Sequence, residues 1–249
     1  GSLASVEGAR PSKSAEGRPV YSFCMCPGGQ VVCTSVLPDE LCVNGMSFSK
    51  RQSRWANSAL VTAVEPDEAF LQPYIEEARN LPGGGHPAMA GLQFQRAMEQ
   101  EACRRGGGNL VAPVQRATDF IEGRPSEGGP DFPSSSYRLG VKPAALHDLY
   151  PPSLTLALRE ALLAFDKRLP GFLSPQALLH GVETRTSSPI RVARDQQSLQ
   201  CLGLPGLFPC GEGAGYAGGI VSSAVDGVRV GAAVLQELGV AGGGLGGAA

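Results

Sequence analysis

The sequence has little net charge and no long hydrophobic run. Its 249 residues carry a formal net charge of −2, and the lysine and arginine residues are scattered rather than grouped on one periodic face. Such a balance gives no indication of binding to nucleic acid or to an acidic membrane surface. No apolar run has the length that spans a bilayer, and the best candidate helix includes Asp226 and Arg229. We therefore expect no nucleic-acid partner and no membrane span.

The sequence also lacks the cysteine spacing of a disulfide framework. It contains 7 cysteines, an odd number, and no secretory signal is visible, although a missing N-terminus would hide one. These features favour an intracellular, reducing compartment. That compartment is either the cytoplasm or an organelle, including a plastid if the source is a photosynthetic eukaryote.

Cys24 and Cys26 are separated by one residue, so on a strand they would point to the same face. A disulfide between them would close a very tight ring, and the Cys-x-x-Cys spacing of redox motifs is absent. We interpret them as structural thiols on a buried face. A zinc site that adds Cys33 and Cys42 is disfavoured, because the spacing does not match paired Cys-x-x-Cys motifs.

The apolar patterns predict a mixed α/β chain. With 249 residues, 42% of them hydrophobic, the chain can form one large domain or two small ones. Pro27, Gly28 and Gly29 between two β-rich runs predict a hairpin. The predicted strands cover residues 20–25, 31–36, 41–46, 59–64, 178–185 and 190–192, and residues 110–120 are predicted to be extended. The predicted helices cover residues 67–80, 92–105, 143–150 and 153–168. Pro73 is expected to interrupt the first of these helices, and Ser153 is expected to cap the last.

A glycine-rich stretch near the end of the chain is the most informative segment. Leu207 and Phe208 predict a short strand, which is followed by five glycines between residues 211 and 219 and then by a helix. The helix has one apolar stripe, and its opposite face is polar. A strand, a glycine loop and a helix N-terminus together form a site for an anion or a polarised oxygen. The stripe consists of Ile220, Ala224, Val228 and Leu235, and the polar face consists of Ser222, Asp226, Arg229 and Gln236.

The same loop satisfies the dinucleotide fingerprint in form only. Gly213, Gly215 and Gly218 have the G-x-G-x-x-G spacing, and Glu237 lies near the expected acidic position. That fingerprint binds a pyrophosphate only inside a βαβ unit, whose next strand carries the acidic residue. Here the helix is expected to end near Leu238, and a glycine- and alanine-rich tail follows. We expect the element to close a nucleotide-binding fold rather than to open one.

Three motifs resemble a family of largely uncharacterised FAD-dependent dehydrogenases, distant relatives of glutathione-reductase-like flavoproteins. They are PCGEGAGYAGGIVSSAVDGVR (residues 209–229), YSFCMCPGG (21–29) and GVETRTSSP (181–189). The resemblance covers nearly the whole chain. One hallmark of the family is missing, the N-terminal glycine-rich βαβ unit that holds the ADP half of FAD. We therefore expect the chain to be the later part of a longer flavoprotein, accompanied by an N-terminal segment or a larger complex.

The resemblance implies a fold and a domain division. The expected fold class is α/β, a Rossmann-like FAD/NAD(P)-binding flavoprotein fragment with an inserted mixed α+β domain. Residues 1–18 are expected to be a linker or an expression remnant, 19–178 the inserted domain facing the flavin, 179–239 the segment that completes the FAD-binding domain, and 240–249 a flexible tail.

The resemblance also implies the cofactor-binding residues. In relatives, an acidic residue at the position of Glu212 hydrogen-bonds the sugar-alcohol chain of the flavin, and the helix that follows points its first N–H groups at the flavin pyrimidine edge. Tyr216 either stacks on the flavin or fills the loop. Arg185 contacts the flavin or a substrate anion, or else pairs with an acid near Glu183. The candidate residues are Arg185, Thr186, Ser187, Gly211, Glu212, Gly213, Ala214, Gly215, Tyr216, Ala217, Gly218, Gly219 and Ile220.

The activity implied is that of an FAD-dependent oxidoreductase. Electrons would pass between noncovalently held FAD and an unidentified small-molecule substrate, with NAD(P)H a candidate electron donor. The alternative is a non-catalytic structural or assembly subunit that retains the fold. His86, His147 and His180 lack a nearby nucleophile pattern, so a catalytic triad is unsupported. His180 precedes the 181–189 motif and is a candidate for the flavin cleft, although such a histidine is more often a packed or surface residue.

Overall fold

A computed structural model describes residues 12–13 and 17–240, which form three small sheets and five α-helices. Most of the predicted linker or remnant 1–18 and of the predicted tail 240–249 therefore lies outside the described residues. The strands are β1 (Ser12–Lys13), β2 (Pro19–Cys26), β3 (Gly29–Cys33), β4 (Val43–Ser47), β5 (Asn57–Thr62), β6 (Ala112–Arg116), β7 (Val141–Pro143) and β8 (Leu178–His180). The helices are α1 (Gln72–Arg79), α2 (Ala90–Gly106), α3 (Ala117–Glu122), α4 (Pro152–Arg168) and α5 (Ile220–Glu237).

The first two sheets correct the predicted hairpin. The strands β1, β2 and β5 pair in that order, all antiparallel, whereas β3 pairs with β4. The turn after β2 therefore leads into a second sheet instead of folding β3 back on β2. Gly28 has a φ of +66°, and a Cβ there would lie 2.2 Å from the carbonyl carbon of Arg51. This close approach of the backbone leaves room only for glycine.

The third sheet has the order β7, β6, β8, with β7 parallel and β8 antiparallel to β6. The predicted extended segment 110–120 is therefore wrong in its second half, where α3 begins. The predicted strand 178–185 ends at His180, and residues 190–192 form no strand. Within the described residues, β6 and β7 are the only parallel pair. The fold is mixed α/β, and a Rossmann-like sheet and the domain division stay predictions.

Helices α2 and α4 supply much of the core. Phe94, Met98 and Ala102 of α2 and Ala161 and Leu162 of α4 are buried, as their helical spacing predicts. The start of α4 differs from the prediction, because Pro151 is the N-cap and the side chain of Ser153 makes no capping bond. Proline in the first turn supplies a suitable φ where no N–H partner is needed. For the same reason the proline at position 73 begins α1 instead of interrupting it.

The segment after β8 is fixed by buried contacts with the first half of the chain. Val182 and Leu41 are fully buried in one cluster. The amide of Val43 donates to the Val182 carbonyl at 2.9 Å, and the amide of Leu41 donates to the Glu99 carbonyl at 2.9 Å. These bonds hold the 181–189 motif beside α2.

The apolar stripe of α5 faces the opposite way from the expected one. The helix has nearly the predicted range, but its buried residues are Asp226 and Val230, whereas Ile220 is 89% exposed and Val228 60% exposed. No strand precedes the glycine loop, since Leu207 belongs to no strand. Of the predicted polar face, Asp226 is turned inward because its carboxylate binds the loop, as described below, whereas Ser222, Arg229 and Gln236 are exposed.

No helix of the described residues is long and apolar enough to cross a membrane.

Candidate functional site

A cavity of about 480 Å³ lies between α2, the 185–189 segment and the start of the glycine loop. It brings together four of the predicted site residues from two distant motifs, Arg185 and Ser187 from one and Glu212 and Gly213 from the other. Its other lining residues include Glu40, Gln95, Arg96 and Glu99.

Arg185 is held by a buried carboxylate. Its Nε atom donates to Glu99 Oε1 at 2.8 Å, and its Nη2 atom contacts the other oxygen of Glu99. Glu40 lies 3.5 Å from the same nitrogen and also accepts from Nε of Arg96 at 3.0 Å. Of the two predicted alternatives for Arg185, pairing with an acid is therefore observed, but the acid is Glu99, 86 residues away in sequence. The pairing fixes one edge of the guanidinium at the cavity wall.

The 184–189 segment is tied to the same helix. The side-chain amide of Gln95 donates to the Thr184 carbonyl at 2.7 Å, and the Thr184 hydroxyl donates to Glu99 Oε1 at 2.5 Å. At the start of α2, a Cβ on Gly91 would lie 2.7 Å from Cβ of Pro189, so the backbone approaches this proline closely. Gln95, Arg96 and Glu99 were not predicted as site residues, although Gln95 and Glu99 are four residues apart on one helix face, a spacing that could have indicated a polar stripe.

Two turns shape the glycine loop. The amide of Gly215 donates to the Glu212 carbonyl and that of Tyr216 to the Gly211 carbonyl, both at 2.9 Å. Gly211 and Gly215 have φ values of +67° and +81°. A Cβ on Gly215 would lie 2.4 Å from the Ile190 carbonyl oxygen. These two glycines are therefore required by the backbone.

A buried ion pair anchors the loop to α5. Arg194 donates to both carboxylate oxygens of Asp226, at 2.6 and 3.0 Å, and to the Pro209 carbonyl at 2.7 Å. The Gly211 amide donates to Asp226 Oδ2 at 2.9 Å. Hydrogen bonds from Arg194, and then from Gly211, hold the pKa of the Asp226 carboxyl below its ordinary value. This network explains why Asp226 of α5 is turned inward.

The loop leaves several backbone donors open. The amides of Gly213, Ala214, Ala217 and Gly218 donate to no described residue. At the helix start, the Ser222 hydroxyl accepts from the Gly219 amide at 3.1 Å, which satisfies the N-cap N–H. The side chain of Glu212 is exposed and hydrogen-bonds to no described residue. Ile220 is exposed, and Thr186 lies outside the lining of the cavity.

Tyr216 is engaged within the loop. Its hydroxyl donates to the Val192 carbonyl at 2.9 Å, and the guanidinium carbon of Arg194 lies 3.5 Å from the ring centroid. Of the two predicted roles, filling the loop is the one this geometry favours.

Glu183 is a titratable group that was not among the predicted site residues. Burial raises the pKa of its carboxyl to about 7. The pKa of the Cys24 thiol is raised, first by partial desolvation and then by the negative charges of Cys26 and Glu183.

The prediction of two thiols on one buried face is wrong, because a bulge between Phe23 and Cys26 breaks the alternation and Cys24 is exposed. All 7 cysteines are free thiols.

The histidines lie outside the cavity lining. His180 contacts Ser135 Oγ at 2.7 Å through Nε2, and burial lowers its pKa to about 4. His147 contacts the buried Gln115, and His86 accepts a hydrogen bond from the Ala88 amide. His180 is thus a packed residue, the second of its two predicted alternatives.

In the described part of the chain, no group of three or more His, Cys, Asp or Glu side chains could hold a metal ion.

A partly apolar cavity that brings a few charged and polar groups together is typical of sites that bind a small organic molecule. Residues 9–186 match the model of the family described as FAD-dependent protein, C-terminal domain-like. The chain is also similar to an uncharacterised protein of Clostridium beijerinckii, with 41% identity over 221 residues. This chain therefore belongs to the family of FAD-dependent proteins that this C-terminal domain-like model describes.

The match to the relative covers 88% of this chain but 38% of the relative, so the chain spans well under half of the relative's length. The family match ends at residue 186, which includes Arg185 and Thr186 but not the glycine loop. Membership indicates a flavoprotein-related role, with FAD as the cofactor of the family.

The residues around the cavity fit one edge of a flavin. The open amide of Gly213, the carboxylate of Glu212 and the fixed guanidinium of Arg185 suit the polar atoms of an isoalloxazine ring and its hydroxylated side chain. Within the described residues no glycine-rich turn lies between a strand and a helix of a βαβ unit, which is the element that binds a pyrophosphate.

Proposed function

We propose that this chain is part of an FAD-dependent oxidoreductase and forms the side of the active site that contacts the isoalloxazine ring. The observation that carries the proposal is the cavity that joins Arg185 and Ser187 to Glu212 and Gly213. These residues come from separate motifs, and both motifs resemble the same flavoprotein family. The open amides of the loop and of the first turn of α5 would donate to the pyrimidine edge, where reduction of the ring adds negative charge.

Glu212 has a defined role in this proposal. Its exposed carboxylate would accept a hydrogen bond from a hydroxyl of the flavin side chain. Arg185, held by Glu99, would present its free edge to the flavin or to the substrate. The electron donor or acceptor is a small molecule, with NAD(P)H one candidate. FAD would supply the hydride and electron chemistry when bound.

The first experiment compares flavin content. We expect the full-length protein to be purified with noncovalent FAD, released on denaturation, and this chain alone to lack stoichiometric flavin because its described residues include no glycine-rich turn of a βαβ unit. In the full-length protein, Glu212→Gln should weaken FAD binding by roughly ten- to a hundredfold, the cost of one hydrogen bond to a charged group. Flavin titration of the apoprotein measures this loss.

Glu237→Gln is the matched control, since Glu237 is also an exposed acid, at the far end of α5. It should leave FAD affinity unchanged. A full-length protein that neither contains nor binds FAD would refute the proposal and favour a non-catalytic subunit. Equal effects of the two substitutions would show that Glu212 is not at the flavin.

A further inference from the structure

A second cavity, of about 400 Å³, adjoins the glycine loop at Tyr216. Three arginines line it, Arg191, Arg194 and Arg229, together with Gln196. No described acidic residue is part of the lining. The cavity is separate from the one assigned to the flavin, because the two have no lining residue in common.

Two of the three guanidinium groups are fixed in place. Arg194 is buried and bound to Asp226 and to the Pro209 carbonyl. Arg191 donates through Nε to the Gly215 carbonyl at 2.9 Å. Both lie over Tyr216, with guanidinium carbons 5.0 Å and 3.5 Å from its ring centroid for Arg191 and Arg194, respectively. The tyrosine ring thus holds two cations close together.

The positive charge of this cluster is only partly balanced. Asp226 pairs with Arg194, and the positive charge of Arg229 also helps to lower the pKa of the Asp226 carboxyl. Neither Arg191 nor Arg229 forms an ion pair with any described residue. Asp195, close in sequence, uses its Oδ1 atom to accept the amides of its own turn. The guanidinium groups of Arg191, Arg194 and Arg229 therefore repel one another, with one carboxylate beside them. An anion bound in the cavity would offset that repulsion.

The arrangement favours phosphate over carboxylate. A guanidinium group binds phosphate oxygens through two parallel hydrogen bonds. A carboxylate would neutralise only one of the two unbalanced charges, whereas a phosphate or diphosphate carries enough charge for both. Gln196 adds a neutral donor in the lining. We propose that this cavity binds a phosphate or diphosphate group of a small-molecule ligand. This inference does not depend on the proposed flavin site.

The test uses inorganic pyrophosphate and the full-length protein without flavin, at constant ionic strength. Calorimetric titration should show saturable binding, and Arg229→Gln should weaken it about tenfold, the loss of one charge-assisted contact. Arg191→Gln should have a similar effect, and circular dichroism confirms folding of each variant. Arg79→Gln, which removes an exposed arginine at the end of α1, should leave the affinity unchanged. The proposal is overturned if no saturable binding occurs, or if all three substitutions act alike.

A second arm identifies the source of the phosphate. FAD brings its own diphosphate, and a phosphorylated substrate or nucleotide would bring another. If the FAD diphosphate occupies the cavity, loading with FAD abolishes pyrophosphate binding and Arg229→Gln also weakens FAD binding. If a second ligand occupies it, pyrophosphate still binds the FAD-loaded protein and Arg229→Gln leaves FAD affinity unchanged. Either result retains the phosphate site and assigns its ligand.

Discussion

Glu183 stands next to the cavity residues in sequence and titrates near neutral pH. Its carboxyl has a pKa of about 7 because it is buried, whereas a free glutamate titrates near 4.3. The folded protein therefore binds more protons than the unfolded chain between these two values. By linkage, this group makes the free energy of unfolding fall as pH rises from about 4.3 to 7.

Glu183→Gln should remove that dependence. The free energy of unfolding of the variant minus that of the parent should increase between pH 4.5 and 7.5 by roughly 1–3 kcal/mol, after allowance for partial solvent screening. His180, whose pKa is lowered to about 4, acts in the opposite direction, but it is common to both proteins and cancels in the difference. Denaturant titrations across the pH range give the measurement. Glu237→Gln serves as the exposed control and should show no such increase.

At the scale of secondary-structure elements, the ion pair between Arg194 and Asp226 joins α5 to the glycine loop. Both side chains are nearly buried, at 6% and 8% exposure. The same carboxylate also accepts the Gly211 amide. The position of the loop relative to the helix start is therefore set by one charged network.

Asp226→Asn should destabilise this chain by about 3 kcal/mol, because it leaves the guanidinium buried without a charged partner. Glu122→Gln removes one side of an exposed pair with Arg124, each 57% exposed, and should cost less than about 1 kcal/mol. Chemical denaturation compares the two variants. If Asp226→Asn is no more destabilising than Glu122→Gln, the network does not hold the loop.

At the scale of the whole molecule, α5 presents an uncovered apolar stripe. Ile220 and Val228 of this stripe are 89% and 60% exposed, and Val221 and Val225 beside them are 75% and 56% exposed. Apolar residues that lie together in solvent are a feature of surfaces that another segment or protein covers. The relative is much longer than the part this chain matches, and we propose that the rest of the full-length protein covers this stripe.

Val221→Ser tests this proposal when it is measured in two forms of the protein. In the full-length protein it should lower the free energy of unfolding by roughly 1–2 kcal/mol, the loss of a buried valine side chain. In this chain alone it should have little effect. Val36→Ser is the matched control, since Val36 is 76% exposed and lies outside α5, and it should be silent in both forms. Silence of Val221→Ser in the full-length protein would show that the stripe stays in solvent.

The sequence by itself determined the features that depend on local spacing. The ranges of α2, α4 and α5 follow from apolar periodicity, and most strands of the first two sheets follow from β-rich runs. The glycine loop was found because its residues are contiguous, and glycine at positions 211 and 215 meets a local backbone requirement. The resemblance to a flavoprotein family had the same basis, and the family match confirms it at the level of FAD dependence.

Only the tertiary structure decided which distant groups meet. The pairing of Arg185 with Glu99 spans 86 residues, so no local pattern could predict it. The inward turn of Asp226 was also hidden, because its partners Arg194 and Gly211 lie 32 and 15 residues away in sequence. Strand pairing was missed for a related reason: turn residues indicate that the chain changes direction, but the partner of β2 is selected by packing between segments far apart in sequence.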